Sequence, residues 1–301
     1  MLARDKLKYF SILKRQYPHA NEASVRLFED GNDHYVFVVD KTHAFRFPRT
    51  ENSGKNDTSI NAFSQMFAPH SPVPIQKMTG HVDSITGQQY QTYEFLPGRM
   101  FTEDFAKTLS EEECIGVAKD LGIFLKKLHT FPIQEAEIMR IEALVSPQNY
   151  ANYFRDIIQV DREAVGSLLT DREWEWIERQ TKDFVDLSYT HPYSFTVTHS
   201  DMQADHMLLE EKTHKLCGII DFSLRIADPA NDFKLLHPYG EVFLKTVYEN
   251  YLPVDEFFDK RRAFYSGDFY LAMLYKSVVD KREDKVKLFL TKLREYISKH
   301  A

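Results

Sequence analysis

With 301 residues, 43% of them hydrophobic and 28% charged, the chain has the size and balance of a soluble globular protein of one large or two ordinary domains. A formal net charge of -7 argues against nucleic acid as a partner, which would ask for clustered Lys and Arg. Two cysteines, Cys114 and Cys217, are too few for a disulfide framework or a thiolate metal site, and no window approaches the ~18 uninterrupted apolar residues of a membrane span.

The opening MLARDKLKYFSILKRQYPHA lacks the continuous apolar region of a signal peptide, so a cytoplasmic location is expected. Within it Leu7, Phe10, Leu13 and Tyr17 share one helical face, which predicts an amphipathic helix over residues 5–17. Three β-rich runs follow, at 24–28, 35–39 and 44–47, joined by the polar turns Glu29-Asp30-Gly31-Asn32-Asp33 and Asp40-Lys41. They read as an antiparallel meander. The backbone N–H groups at Gly31, with Asn32, would reach phosphate oxygens if a nucleotide lay beneath that turn; a lone glycine there is otherwise only a turn. Arg46 alternates with Phe45 and Phe47 and so faces the opposite side of its strand. Facing inward it is a phosphate clamp; facing outward it is a solvated charge.

Residues 50–58, TENSGKNDT, read as a mobile loop, and 59–67 as a short helix stopped by the proline-rich 69–74. Two more strands are expected at Ile75–Met78 and Gln89–Phe95, and Pro97-Gly98 closes the β-rich part as a hinge. Beyond it Ser110-Glu111-Glu112-Glu113 has the form of a capping box, followed by Val117, Leu121, Phe124, Leu125 and Leu128 at helical spacing as far as His129. Residues 134–190 read as a helical insertion and 229–298 as mostly helical again. A β-rich first third and a helix-rich remainder imply two lobes with a cleft between them.

The stretch from Phe195 to Phe222 carries the chemistry. It reads as a hairpin of two apolar runs, each ending at a carboxylate: one leads into His199-Ser200-Asp201, the other into Asp221-Phe222, with His206 between. Asp201, His206 and Asp221 supply one general-base candidate and two metal-ligand candidates, the parts that phosphoryl transfer asks of a protein. Magnesium favours carboxylate oxygens and keeps several waters, so Asp221 suits it well, and His206, a softer donor, less so.

Three motifs carry a family resemblance: His199-Ser200-Asp201-Met202-Gln203-Ala204-Asp205-His206, Gly218-Ile219-Ile220-Asp221-Phe222, and Ala227-Asp228-Pro229-Ala230-Asn231-Asp232-Phe233. With the Gly31-Asn32-Asp33 turn, the Arg46 strand, the Tyr93-to-Gly98 hinge and Leu128-His129, they resemble the aminoglycoside phosphotransferase and choline-kinase superfamily. Within it the chain is most similar to the aminoglycoside 2''-phosphotransferases, which share the Gly-Asn-Asp turn and a histidine where most relatives have a metal-binding asparagine. The resemblance implies an α+β, two-lobe, protein-kinase-like fold. A small antiparallel nucleotide-binding lobe would span 1–97, and a larger helical lobe with the catalytic loop and acceptor site 98–301. It implies Asp201 as catalytic base, His206 and Asp221 as Mg²⁺ ligands, and ATP or GTP as donor. Glu94 and Phe95 would contact the nucleotide base through backbone groups. His199 would organise the loop, and Asp228 and Asp232 would cap a helix and brace the loop.

The family places a lysine where Arg46 stands and a helix glutamate where Ile60 aligns, with Glu51 as the nearby upstream acid. Relatives also carry several acids after the Asp-Pro motif, where this chain has only Glu241; Asp205 and Asp232 are further candidates for the acceptor wall. The expected activity is transfer of a nucleotide γ-phosphoryl group to a hydroxyl of an aminoglycoside-like or other bulky polar acceptor. The expected partners are nucleotide and acceptor, without nucleic acid or membrane, and the chain is expected to be a monomer. The alternative is a kinase-like protein that binds nucleotide or ligand with weak or no catalysis, motivated by Arg46 and the missing glutamate. A metal-dependent hydrolase using His199, Asp201, His206 and Asp221 as one ligand cluster is a third reading.

Overall fold

An amphipathic helix, α1 (Ala3–Gln16), opens the chain and lays Tyr9, Ile12 and Leu13 on the outer face of a five-stranded sheet. The strands are β1 (Val25–Phe28), β2 (His34–Val39), β3 (His43–Pro48), β4 (Thr79–Val82) and β5 (Gln89–Glu94), in the order β1-β2-β3-β5-β4 with every pairing antiparallel. The computed structural model describes residues 3–21, 23–28, 34–50, 54, 57–138, 140–143 and 146–301. The turn at Gly31 and Asn32, and Glu51, lie outside them.

Period-two alternation gives this sheet two buried faces. Phe37, Val39, Phe45 and Phe47 pack under α1, whereas Val38, Ala44 and Tyr93 turn to the main core. There they meet Ile60, Phe63 and Phe67 of helix α2 (Asp57–Phe67). The strand expected at Ile75–Met78 does not form. Pro72 and Pro74 remove ladder donors, and only a single parallel bridge, Ile75 to Ile219, is made there. The segment is instead anchored by its buried side chains and by the Met78 N–H on Ser64 Oγ at 2.9 Å.

The hinge passes so close to the next layer that glycine is required. A Cβ on Gly98, whose φ is +153°, would sit 2.9 Å from Cys217 Sγ and 3.1 Å from the Leu209 carbonyl oxygen. Beyond it come β6 (Arg99–Met100), α3 (Glu103–Ala106), α4 (Glu111–His129), α5 (Ile133–Ile138) and β7 (Glu142–Ala143). Helix α4 starts at the expected capping box: Ser110 and Glu113 satisfy each other's backbone N–H groups. Helices α6 (Pro147–Val165) and α7 (Asp171–Thr190) form the insertion, and α8 (Glu241–Glu249), α9 (Phe258–Val279) and α10 (Glu283–His300) close the chain. Trp174 and Trp176 of α7 pack with Leu271 of α9 and Tyr296 of α10 in a second core.

Between these helices run β8 (Thr196–Thr198), β9 (Met207–Leu209), β10 (Leu216–Ile219) and β11 (Arg225–Ala227). The expected single hairpin over 195–222 is two pairings. Strand β9 pairs with β10 and, on its other edge, with β6, while β8 pairs with β11 in a separate sheet that includes β7. The architecture is therefore the α+β arrangement expected: a small antiparallel sheet joined to a larger helical region. Among the described residues no helix is long and apolar enough to cross a membrane.

Candidate active site

Strand β8 ends at Thr198, and the chain then turns twice within three residues. Ser200 has a φ of +64°, a left-handed conformation that costs a non-glycine residue about 1–2 kcal/mol. The bend is held from below. The Asp232 carboxylate, fully buried, accepts the N–H groups of His199 and Ser200 at 2.7 Å each and contacts His129 Nε2 at 3.0 Å. His129 Nδ1 in turn lies 2.5 Å from the Tyr251 hydroxyl. Burial alone would push the Asp232 carboxyl pKa up, but His129, His199 and these donors outweigh it and hold it down.

His199 is fully buried, and both of its ring nitrogens are used. Nδ1 accepts the Asp201 N–H at 3.2 Å, so Nε2 carries the proton and donates to the Ile220 carbonyl at 2.9 Å. Burial pulls its pKa down, in keeping with a neutral ring. The ring lies 4.3 Å from that of Phe222, and the His199 carbonyl accepts the N–H groups of Ser223 and Leu224 at 3.1 Å each. One residue thus ties the loop carrying Asp201 to the segment carrying Asp221. It has no lone pair left for a metal, so the four-residue ligand cluster of a hydrolase does not exist.

Asp201 stands at the mouth of this loop, its side chain 29% exposed, with the Gln203 amide donating to Oδ1. His206 Nδ1 donates to the Asp201 carbonyl at 2.6 Å, which leaves Nε2 facing Asp221 Oδ2 at 3.6 Å and Asp205 Oδ1 at 3.9 Å. Burial alone would pull the His206 pKa down, but Asp201, Asp221 and Asp205 outweigh it and leave it raised: the space beside Nε2 attracts a cation. Asp221, itself at a φ of +61°, is half exposed and has its N–H on Gln76 Oε1 at 3.1 Å. The cleft walls desolvate its carboxyl and push the pKa up, while Arg46 and His206 overcome this and hold it below the usual range. The donor set fits Mg²⁺: an ionised carboxylate and one imidazole lone pair, with waters completing the sphere. Among the described residues no group of three or more His, Cys, Asp or Glu side chains is placed to hold a metal ion, so the protein would supply two ligands at most here.

Arg46 faces inward. It is 9% exposed, and its guanidinium reaches Gln91 Oε1 at 2.7 Å, Asp57 Oδ1 at 3.3 Å and, across the cleft, Asp221 Oδ1 at 3.4 Å. The acid that partners it is therefore Asp57, in the first turn of α2. Ile60, one turn on, is 6% exposed and belongs to the core. Positions 57 and 61 share a helix face, and Asn61 Oδ1 accepts from the Gln91 amide at 2.7 Å. Helix α2 thus addresses the Arg46–Gln91 pair with one polar edge and the core with the next.

Glu94 stands opposite His43 on β3, and the next amide, Phe95 N–H, is given to the Thr42 carbonyl at 2.7 Å. By the alternation of an antiparallel ladder, the Glu94 backbone groups turn away from β3, whereas the Phe95 N–H is already taken. Of the acceptor-wall residues, Asp205 is 57% exposed beside His206, and Glu241 is exposed at the start of α8. Asp232 is corrected: with no exposed surface and its oxygens shared among three donors, it braces the loop and has nothing to offer an acceptor. Asp228, also fully buried, caps the 3-10 turn at Pro229–Phe233 through the Ala230 N–H at 3.0 Å and receives Arg261 Nε at 2.8 Å.

Sequence reasoning missed Asp57, Gln91, Gln76, Gln203 and Lys234. The first two had a signal: Arg46 and Gln91 are register partners on neighbouring strands, and Asp57 stands where a helix N-terminus favours an acid.

A profile of the phosphotransferase enzyme family (APH) matches residues 24–263. Among solved structures, the GDP and kanamycin complex of APH(2'')-IIIa superposes with a TM-score of 0.86 at 20% identity, covering 98% of this chain and 100% of that one. The streptomycin–ATP–APH(2'')-IIa ternary complex does so at 0.70 and 20% identity, over 96% and 97%. Macrolide 2'-phosphotransferase MphH from Brachybacterium faecium gives 0.66 at 18% identity, over 94% and 96%. These likenesses run nearly end to end and establish the fold.

Proposed function

The chain belongs to the phosphotransferase enzyme family, and from that premise we propose that it is a Mg²⁺-dependent small-molecule kinase. It transfers the γ-phosphoryl group of ATP or GTP to a hydroxyl of an aminoglycoside-like or other bulky polar acceptor. The observation that carries this reading is the convergence of Asp201, His206, Asp221 and Arg46 on one cleft. Solved relatives with the same fold have been captured with GDP and kanamycin, and with ATP and streptomycin.

In this reading the nucleotide lies between residues 1–97 and 98–301, its base against the backbone groups of Glu94. Arg46, held by Gln91 and Asp57, directs its remaining guanidinium donors at the phosphates as a planar fork. Asp221 and His206 would hold a Mg²⁺ ion, which would supply neutralisation of phosphate charge. Asp201 accepts the hydroxyl proton as the acceptor oxygen bonds to the γ-phosphorus and the nucleoside diphosphate leaves. Exposed Asp205 and Glu241 give the acceptor side a negative wall suited to ammonium groups.

The alternative of a weak or inactive relative rests on arginine in the lysine position and on the missing glutamate; the Asp57 contact with Arg46 speaks against the second ground. The test is nucleotide turnover by the purified protein with Mg²⁺ across aminoglycosides, macrolides, choline-like amines and sugars. Asp201→Ala should lower kcat by about 10²–10⁴-fold while the protein still binds nucleotide. Turnover unchanged in that variant overturns the mechanism, and nucleotide binding without turnover for every acceptor overturns the activity.

A further inference from the structure

Lys234 follows the Asp-Pro motif and has no place in the chemistry above, yet its side chain is buried, with 7% of the residue exposed. Burying an ammonium is costly unless its donors are met, and a methionine or leucine would pack there without that cost. Two acceptors meet the ammonium, one in the catalytic loop and one in the 3-10 turn after it. Nζ donates to the Ser200 carbonyl at 3.3 Å and to Asn231 Oδ1 at 2.8 Å, and it lies 5.6 Å from the centre of the Phe269 ring. The Lys234 backbone is fixed as well, because its carbonyl accepts from Ser266 Oγ of α9 at 2.6 Å.

The Ser200 carbonyl is not an arbitrary acceptor. It belongs to the peptide unit whose nitrogen is that of Asp201, and that N–H is held by His199 Nδ1. Ser200 itself is in the left-handed region, with its N–H on Asp232 and its Oγ 2.7 Å from Thr198 Oγ1. The peptide plane immediately before Asp201 is thus gripped on nitrogen by a neutral imidazole and on oxygen by a buried cation. Since a carboxylate swings with the peptide plane that carries it, this grip fixes the direction from which Asp201 approaches an acceptor. We propose that Lys234 is a positioning residue for Asp201: it locks the Ser200–Asp201 peptide so that the carboxylate meets the acceptor hydroxyl in line with the phosphoryl group.

The inference rests on the reading of Asp201 as the base, so the wild-type protein is assayed first; absence of turnover there counts against that reading alone. Given an active wild type, Lys234→Met keeps the volume and removes the donors. The expected result is a kcat lowered about 10- to 100-fold, the range for losing hydrogen bonds from a charged group. The KM for nucleotide and for acceptor should stay within about threefold of wild type, since Lys234 is assigned to neither. Lys234→Gln, whose amide still donates, should recover part of kcat, and it serves as the variant where Met does not fold. A purely structural lysine would lower Tm and the fraction of active protein in all such variants, with the kcat of the active fraction unchanged. That outcome, or a full kcat in Lys234→Met or Lys234→Gln, overturns the proposal.

Discussion

Replacing Asp57 by Asn tests whether Arg46 has a working partner without touching any group that meets nucleotide or acceptor. The two side chains are 10% and 17% exposed, and their ion pair spans 3.3 Å. At an effective dielectric of about 20 their attraction is about 5 kcal/mol gross, of which desolvation leaves the ~1.5–3 kcal/mol usual for a hydrogen bond to a charged group. Gln91, at 2.7 Å from the same guanidinium nitrogen, still holds Arg46 in the variant, so the lower half of that range is expected. That corresponds to kcat/KM for the nucleotide falling about 10- to 50-fold, with the acceptor KM unchanged. Initial rates of nucleoside diphosphate release, with each substrate varied in turn, read both quantities. Ile60→Glu is the counter-experiment. A carboxylate at this core position cannot reach Arg46 in place of Asp57 and should destabilise the fold by several kcal/mol. Wild-type kcat/KM in Asp57→Asn, or a gain of activity in Ile60→Glu, would refute the assignment.

Two further outcomes follow from buried carboxylates. Asp232→Asn exchanges an acceptor of three donors for a group that presents two donors of its own, so unfolding should become easier by about 3–5 kcal/mol, with kcat also reduced; urea unfolding and steady-state rates measure the two. Asp268 on α9, half-buried, has its pKa pushed up to about 7 by desolvation and by Asp161, and buried Asp161 on α6 has its own pushed up to about 6 by burial. A carboxyl raised in the folded state stabilises it fully below the unfolded pKa near 4, and that stability is lost as pH rises through about 6–7. Asp268→Asn should therefore gain in Tm over wild type between pH 5 and pH 8, and a difference independent of pH would contradict the assignment.

The sequence disclosed what is local or periodic. Alternation in β2 and β3, the Ser110 capping box and the strand ends at Asp201 and Asp221 are all set by neighbours within a few positions, and each lies where expected. Long-range relations were less legible. The Asp57 partner of Arg46 is not legible from the aligned position, which holds Ile60, because a helix offers its acid from whichever turn faces the strand. The pairing of β8 with β11 in place of β10 is invisible to periodicity, since three-residue strands carry no register signal. Lys234 carries no signal in the sequence, because burial of a lysine depends on contacts with Ser200 and Phe269 far away in the chain.

The split between the two small sheets divides the site along a seam. Strand β6, which leaves the hinge, shares its sheet with β9 and β10, the strands adjoining His206 and Asp221; Asp201 follows β8, in the other sheet. His206 and Asp221 are therefore indexed to the hinge, and Asp201 to the sheet that holds β7 and β11. The polar joint between them includes the His199–Ile220 bond, the Ser223 and Leu224 amides on the His199 carbonyl, and His206 on the Asp201 carbonyl, above a core in which Val197 and Ile226 pack with Met207 and Ile219. A substitution behind β8 or β11 therefore reaches Asp201 first, and reaches His206 and Asp221 only through those bonds and the core that both sheets share.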